Sequence, residues 1–195
     1  MIKIKLGIDI DGTLAQSYGD IFREKQEKRF KKIYSNKETG QFKDSKIENF
    51  LINVYFKLKW LNWRNVKLTD NRLPEIIKRL SKNGFEINII SSSFGRKNDI
   101  KNWLNKNKIT YSNLIFTNPD EKYKYADILI DDRHDIILNT IKHGKIGILY
   151  HYHHFGIDKY MSKKEEYNFF FSNSWENIEN EIYHFKKEIE ENEKI

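Results

Sequence analysis

The feature that most restricts how this chain can fold is an apolar segment that ends in two aspartates one residue apart. Residues 2–8 are mainly apolar and predict a β-strand, which Asp9 and Asp11 follow. Gly12 then lets the chain turn away, because glycine adopts backbone angles that other residues avoid. Since alternate side chains of a strand project from the same face, the two carboxylates are expected to lie side by side. The segment therefore predicts a concentration of negative charge where a strand ends.

Two carboxylates in this position repel each other strongly unless a positive charge lies between them. A divalent cation supplies that charge, and carboxylate oxygens at a strand end suit Mg²⁺. A pair in which one carboxylate acts as a nucleophile and the other transfers a proton is typical of phosphoryl-transfer sites. The alternative is an Asp-Gly hairpin turn, but that interpretation has to explain both acids after an apolar strand. We therefore predict a phosphoryl-transfer site that uses Mg²⁺.

Two later apolar runs end in polar residues, as the first one does. The run before Ser91 and Ser92 and the run before Asp131 and Asp132 both predict strands. Because ligands bind at the carboxyl ends of parallel strands, we expect these side chains to converge with Asp9 on one edge of the sheet.

In this order, the segments resemble the four signatures of the haloacid-dehalogenase superfamily of phosphatases. Residues 9–13, Asp-Ile-Asp-Gly-Thr, resemble the first signature, and the runs that end at 91–92 and at 131–132 resemble the second and fourth. The third signature is a lysine, for which Lys122 is the best placed residue and Lys124 the alternative. Four signatures in the right order are far more specific than any one alone, and the resemblance implies a phosphatase with the fold of this superfamily.

Within the superfamily, the chain is most similar to the 5′(3′)-deoxyribonucleotidases and their bacterial and phage relatives. The segments that carry this resemblance are 9–15, 89–93, 101–104, 125–135 and 174–178. Ser91 stands where that family usually has Thr, and Ser93 stands where it has Pro. The resemblance implies an enzyme that removes phosphate from (deoxy)nucleoside monophosphates.

The resemblance also implies roles for individual residues. Asp9 would be the nucleophile that forms an aspartyl-phosphate, and Asp11 the general acid and base, which also reaches Mg²⁺ through its backbone oxygen. The phosphate-binding side chains would be those of Ser91, Ser92 and Lys122. The metal ligands would be Asp9, Asp11, Asp131 and Asp132, with Asp132 favoured over Asp131 as the direct ligand. A second carboxylate at Asp11 argues against dehalogenase and transport-ATPase chemistry, because those members of the superfamily lack it.

Alternating strand and helix patterns predict an α/β fold, a Rossmann-like parallel sheet with helices on both faces. The predicted strands are 2–9, 85–90, 114–116, 127–130, 146–150 and 167–171. The predicted helices start near Pro74, contain Ile100 to Leu104, contain Ile136 to Ile141, and run from Trp175 to Ile189 with Ser174 as N-cap. Residues 15–72 have helical spacing without strand alternation. We predict that they form a small helical cap inserted after the first strand, with 1–14 and 73–195 as the core.

Composition restricts the protein class further. The chain has no cysteine, which excludes disulfides, thiol catalysis and cysteine-ligated metals. It has no apolar stretch of about 18 residues, so we expect no membrane partner and a cytoplasmic location. Residues 20–82 carry nine more basic than acidic residues, whereas the whole chain has a net charge of +7. This excess suits an anionic substrate or, less favoured, a nucleic acid, and a solvated lysine-rich surface gives the same pattern.

We therefore predict a Mg²⁺-dependent phosphomonoesterase that acts on small (deoxy)nucleoside monophosphates through an aspartyl-phosphate. One alternative is a phosphatase that acts on polynucleotide ends or on another small phosphorylated metabolite. The other is a non-catalytic binding protein, against which the intact acids argue. The sequence does not specify the base, the sugar or the phosphate position of the substrate. It does not specify the oligomeric state either, for which a homodimer is one option.

Overall fold

The order of the strands brings the sequence motifs to one edge of a single sheet. The computed structural model describes residues 3–16, 66–92, 97–150 and 170–192. The strands are β1 (Lys5–Asp9), β2 (Glu86–Ser91), β3 (Asn113–Phe116), β4 (Ile128–Asp131), β5 (Ile146–Tyr150) and β6 (Phe170–Ser172). All pairings are parallel, and the strand order is β3-β2-β1-β4-β5-β6. The predicted Rossmann-like parallel sheet is therefore confirmed.

Helices occupy most of the described connections between the strands. They are α1 (Leu73–Lys82), α2 (Lys97–Lys106), the 3₁₀ helix Pro119–Tyr125, α3 (His134–Lys142) and α4 (Trp175–Asn192). As predicted, α1 has Pro74 in its first turn and is followed by Gly84, whose φ of +91° suits the turn that ends a helix. In the described part of the chain, no helix has the length and apolar composition needed to cross a membrane.

The three central strands are buried almost completely. Leu6 and Ile8 of β1 and the apolar residues of β2 and β4 belong to the core. Strands buried on both faces are continuous apolar runs rather than alternating ones, which is why the sequence predicted them. Ile8 pairs with Ile89 on one side and with Ile130 on the other. This register places Asp9 and Asp131 next to each other at the ends of neighbouring strands.

Gly7 lies in β1 where the neighbouring segments leave no room for a side chain. A Cβ atom at this position would come within 2.7 Å of Ala126 Cβ and 2.9 Å of Ile90 Cδ1. The glycine is therefore required by packing two residues before the strand-end aspartate.

The helix α4 fastens the end of the described chain to α1. Its buried residues include Trp175 and Ile178, and the half-exposed Arg79 of α1 donates two hydrogen bonds to Glu179, at 2.8 and 2.5 Å. The helix starts where the sequence predicted: the N–H of Ile178 donates to the Ser174 carbonyl at 3.1 Å. It continues to Asn192, one turn beyond the predicted end at Ile189.

Several strand boundaries differ from the predictions by single residues, whereas β1 starts at Lys5, three residues after the predicted start. β2 and β4 extend through Ser91 and Asp131, because backbone pairing continues to Phe116 and Leu149 although the side chains become polar. Of the predicted cap, 15–72, the residues 17–65 lie outside the described part of the chain, as does the first half of the predicted strand 167–171. The division into core and cap stays a prediction.

Replacing Gly7 with alanine tests the packing of β1. Alanine is favoured over glycine in a strand by about 0.5–1 kcal/mol, but overpacking costs about 1–3 kcal/mol, so Gly7→Ala should lower the free energy of unfolding. Urea denaturation measures this change. Because Ala126 Cβ is the nearest obstacle, the added variant Ala126→Gly should recover part of the loss. A Gly7→Ala protein as stable as the parent would contradict this packing.

Candidate active site

Two buried aspartates and a buried serine lie at the ends of the neighbouring strands β1, β4 and β2. Asp9 is the last residue of β1, Asp131 is the last residue of β4, and both are buried. The buried Ser91 ends β2 on the other side of β1. The convergence that the sequence predicted is therefore what the structure has, because parallel neighbours end at the same edge.

Lys122 connects the two buried aspartates. Its Nζ donates to Asp9 Oδ1 at 2.6 Å and to Asp131 Oδ2 at 2.6 Å. The lysine belongs to the 3₁₀ helix Pro119–Tyr125, and its side chain is only 4% exposed. The alternative, Lys124, is exposed and pairs with Glu121 at 2.5 Å. Of the two lysines that the sequence offered, the structure brings Lys122 to the site.

Burial and charge change the proton affinities of this cluster. Burial raises the pKa of Asp9 to about 7; the Lys122 ammonium opposes the rise, and the charges of Asp131 and Asp11 add to it. Burial lowers the pKa of Lys122, but the two carboxylates it contacts outweigh this effect and raise that pKa above its ordinary value. Lys122 is therefore an ammonium group at neutral pH.

Three carboxylates at this edge are close enough to share one cation. Oxygens of Asp9, Asp131 and Asp132 all lie within 4.8 Å of one another. A set of carboxylate oxygens is the donor chemistry that hard divalent cations such as Mg²⁺ prefer. The carboxylate of Asp11, predicted to reach the metal through its backbone oxygen, is not one of the three. The residues therefore fit a divalent cation.

The two aspartates that follow β4 have different surroundings. Both oxygens of Asp131 accept hydrogen bonds, Oδ2 from Lys122 and Oδ1 from the N–H of Arg133 at 2.9 Å. Asp132 is exposed and lies against the backbone of Gly12, where a Cβ atom would come within 2.1 Å of Asp132 Oδ2. Gly12 also has a φ of +89°, so this position requires glycine both for its backbone angle and for the close approach.

The other predicted site residues are positioned less uniformly. Asp11 is half-buried in the loop that follows β1, and its backbone forms an isolated bridge with Ala15. Ser91 is buried, whereas Ser92 is exposed just beyond the strand. Their predicted phosphate-binding role stays a prediction. Ser93 lies outside the described residues.

Sequence reasoning did not single out Asn88, which supports the helix that carries Lys122. This buried residue of β2 donates from Nδ2 to the Tyr125 carbonyl at 2.8 Å, and its Oδ1 accepts from Asn113 at 2.9 Å. The signal was available as a single amide inside an otherwise apolar strand, because a buried amide is retained only where its hydrogen bonds are satisfied.

The fold is that of hydrolases of the haloacid-dehalogenase superfamily. A superfamily hydrolase from Ehrlichia chaffeensis is similar at 17% identity with a TM-score of 0.52, covering 94% of this chain and 98% of that one. A haloacid dehalogenase-like hydrolase from Streptococcus pneumoniae is similar at 12% identity with a TM-score of 0.60 and the same coverage. No curated protein matches the chain significantly.

The chain belongs to the family described as 5′ nucleotidase, deoxy (pyrimidine), cytosolic type C protein (NT5C), whose model matches residues 2–187. This match covers nearly the whole chain and includes every residue of the site. The resemblance stated from the sequence is confirmed, and the protein is an enzyme of the phosphatase and nucleotidase class.

Replacing Lys122 with methionine tests the buried charge cluster without reference to activity. Removing one partner of a buried ion pair costs about 3–5 kcal/mol, so Lys122→Met should lower the free energy of unfolding by this amount in urea denaturation. The matched control is Lys124→Met, which removes an exposed ion pair that solvent screens and should leave the free energy of unfolding nearly unchanged. Equal effects of the two substitutions would contradict the assignment of Lys122 to the cluster.

The loss in Lys122→Met should also depend on pH. Burial already raises the pKa of Asp9 above its value in the unfolded chain, and loss of the ammonium should raise that pKa further. A carboxyl group whose pKa is higher in the folded state costs stability as pH rises from the unfolded pKa to the folded one. Unfolding measured at pH 5 and pH 8 should therefore show the larger destabilisation at pH 8.

Proposed function

We propose that this enzyme is a Mg²⁺-dependent phosphomonoesterase that acts on small (deoxy)nucleoside monophosphates. The observation that carries the proposal is the contact of one buried ammonium, Lys122, with both strand-end carboxylates, Asp9 and Asp131. This contact holds a carboxylate at the end of β1 beside a fixed positive charge, where a phosphoryl group can be attacked and its charge offset. Membership in the nucleotidase family supports the same substrate class.

In the first step, an oxygen of Asp9 attacks phosphorus in line with the leaving oxygen. The new bond gives an aspartyl-phosphate, and the bond from phosphorus to the sugar oxygen breaks. Asp11, two residues along the chain, donates a proton to the leaving alkoxide. The nucleoside then departs as a neutral alcohol.

In the second step, Asp11 takes a proton from a water molecule, whose oxygen attacks the phosphorus of the aspartyl-phosphate. The bond between phosphorus and Asp9 breaks, which releases inorganic phosphate and restores the Asp9 carboxylate. Throughout both steps, Lys122 offsets the charge that collects on the phosphoryl oxygens. Ser91 and Ser92 donate hydrogen bonds to the same oxygens.

The residues that would hold Mg²⁺ are Asp9, Asp132 and the backbone oxygen of Asp11. Asp131 is better suited to orienting Lys122 and the following turn, because both of its oxygens already accept hydrogen bonds. When bound, Mg²⁺ would offset the negative charge of the phosphoryl group and orient it toward the nucleophile.

A second candidate substrate is the phosphorylated end of a polynucleotide. The observation that favours it is the basic excess of residues 20–82, which attracts polyanions as well as mononucleotides.

A phosphate-release assay with Mg²⁺ distinguishes the two candidate substrates. It should compare nucleoside 5′- and 3′-monophosphates with oligonucleotides that carry a 5′- or 3′-phosphate. We expect faster release from the mononucleotides; faster release from the oligonucleotides would favour the second candidate.

Asp9→Asn tests the nucleophile. An amide cannot form the acyl phosphate, so turnover should fall by at least about 10³-fold, measured as phosphate release from the best mononucleotide. Circular dichroism should show that the variant is folded. Substantial activity in a preparation free of other phosphatases would contradict the assignment of Asp9.

Asp131→Asn and Asp132→Asn should separate the two aspartates after β4. Asp132→Asn should raise the Mg²⁺ concentration for half-maximal activity by at least about tenfold, with little change in stability. Asp131→Asn should mainly lower the free energy of unfolding, because it removes a charge that Lys122 needs. A Mg²⁺ titration of activity and a urea titration of each variant give both readings. The reverse pattern would make Asp131 the direct ligand.

A further inference from the structure

We propose that Thr69 and Trp175 are positioning residues that hold the loop carrying Asp11. This inference rests on the role proposed above for Asp11 as general acid and base. The two residues act through hydrogen bonds that join the start of α4, by way of Thr69, to the loop after β1.

The hydrogen bonds run in series from Trp175 through Thr69 to Thr13, and each donor and acceptor is determined. The indole N–H of Trp175 donates to Thr69 Oγ1 at 3.3 Å, and the hydroxyl of Thr69 donates to the Thr13 carbonyl at 2.6 Å. Because an indole nitrogen can only donate, Thr69 Oγ1 must accept from it and directs its single hydrogen to the loop, mainly to the Thr13 carbonyl and at a longer 3.4 Å to the Leu14 carbonyl. The N–H of Thr69 adds a bond to the Leu14 carbonyl at 2.9 Å.

The loop that receives these bonds is short and is joined internally by backbone hydrogen bonds. The N–H groups of Leu14 and Ala15 donate to the Ile10 carbonyl at 3.1 and 2.8 Å, and the N–H of Gly12 donates to the Ala15 carbonyl at 2.9 Å. Asp11 lies inside this loop. A shift of the Thr13 peptide group would therefore displace Asp11.

The same loop lies against a second part of the site. Gly12 approaches Asp132 so closely that no side chain fits between them. The bond from Thr69 to Thr13 therefore fixes a loop that supplies Asp11 and that borders the Asp132 carboxylate. Misplacement of a catalytic group by about 1 Å can reduce the rate by about 10²-fold.

Burial explains why Trp175 is the first donor in this series of hydrogen bonds. This residue is fully buried and its ring packs against Tyr150, with a centroid distance of 5.3 Å. A buried indole N–H needs an acceptor, and the hydroxyl of Thr69 is that acceptor. The segment Ser174-Trp175-Glu176, noted above as part of the resemblance, thus gains a role in the site.

The control for a purely structural role is provided by Trp103. Its indole N–H donates to the Val66 carbonyl at 2.8 Å, and the residue is buried. This bond holds Val66, which lies three residues before Thr69 in the same segment, 66–69. It does not go to the loop that contains Asp11. Loss of either indole N–H should cost comparable stability, whereas only the loss at Trp175 should alter proton transfer.

The kinetic test compares Thr69→Val, Thr69→Ser, Trp175→Phe and Trp103→Phe. The quantity measured is kcat/KM, which includes the step in which the leaving group departs, for a nucleoside monophosphate and for an activated aryl phosphate. A sugar alkoxide needs protonation by Asp11, whereas an aryl oxide needs little. Thr69→Val should lower kcat/KM for the nucleotide by about 10- to 100-fold and should affect the aryl phosphate much less.

The other variants should fall in a definite order. Thr69→Ser retains the hydroxyl and should be close to the parent protein. Trp175→Phe should lie between Thr69→Ser and Thr69→Val, because it frees the hydroxyl to rotate without removing it. Trp103→Phe should leave the ratio of the two kcat/KM values unchanged. Equal losses on both substrates in Thr69→Val, or a changed ratio in Trp103→Phe, would overturn the proposal.

A second measurement keeps this inference separate from the proposed function. In ¹⁵N spectra, the indole N–H signals of Trp175 and Trp103 are assigned by their loss in the phenylalanine variants. Thr69→Val should speed hydrogen exchange of the Trp175 indole and of the amides of 11–15, but not of the Trp103 indole. Unchanged exchange in the loop would overturn the proposal even if the enzyme is a nucleotidase. Faster loop exchange in an enzyme that releases no phosphate would overturn only the proposed function.

Discussion

The contact of one ammonium with two buried carboxylates is the interaction on which the site depends. Asp9 and Asp131 are brought together by the pairing of β1 with β4, and two buried like charges at this distance oppose folding. Lys122 resolves this conflict, but a buried ion pair contributes little net stability compared with apolar packing. Stability therefore does not account for this contact, whereas the proposed chemistry, in which Asp9 is the nucleophile, gives the fixed positive charge a role.

The parts of the fold that the sequence predicted are those that burial dictates. The continuous apolar runs of β1, β2 and β4 and the apolar faces of α1 and α2 were recognisable because each is buried in the core. Burial gave no such pattern for deciding which of Lys122 and Lys124 faces the site. The segment that carries them is a 3₁₀ helix with about three residues per turn, so residues two apart point in different directions. No apolar periodicity in this short polar segment marked which direction was inward.

The supporting hydrogen bonds could not be predicted because they join segments that are remote in sequence. Thr69 bonds to Thr13 across 56 residues, and Trp175 bonds to Thr69 across 106. A threonine that ties down a loop has the same sequence signal as one that faces solvent. Asn88 is different, because an amide within an apolar strand already indicates a partner. What the sequence predicts well is which residues meet at the end of the sheet; what it leaves open is what holds them in place.

The charge of the site favours a bound divalent cation on grounds that are independent of the family. Among the described residues, Asp9, Asp11, Asp131 and Asp132, when ionised, bring four negative charges to this edge, where Lys122 supplies a buried positive charge and the Arg133 side chain pairs with Asp135. A phosphate monoester adds a charge of about −1.5 to −2, so attraction from Lys122 alone cannot outweigh repulsion from the acids. The basic excess of residues 20–82 can raise the concentration of an anion near the protein, but it does not neutralise carboxylates at the sheet edge. A divalent cation held by Asp9 and Asp132 would reduce both obstacles, because two carboxylates that repel the substrate would become ligands of an ion that attracts it.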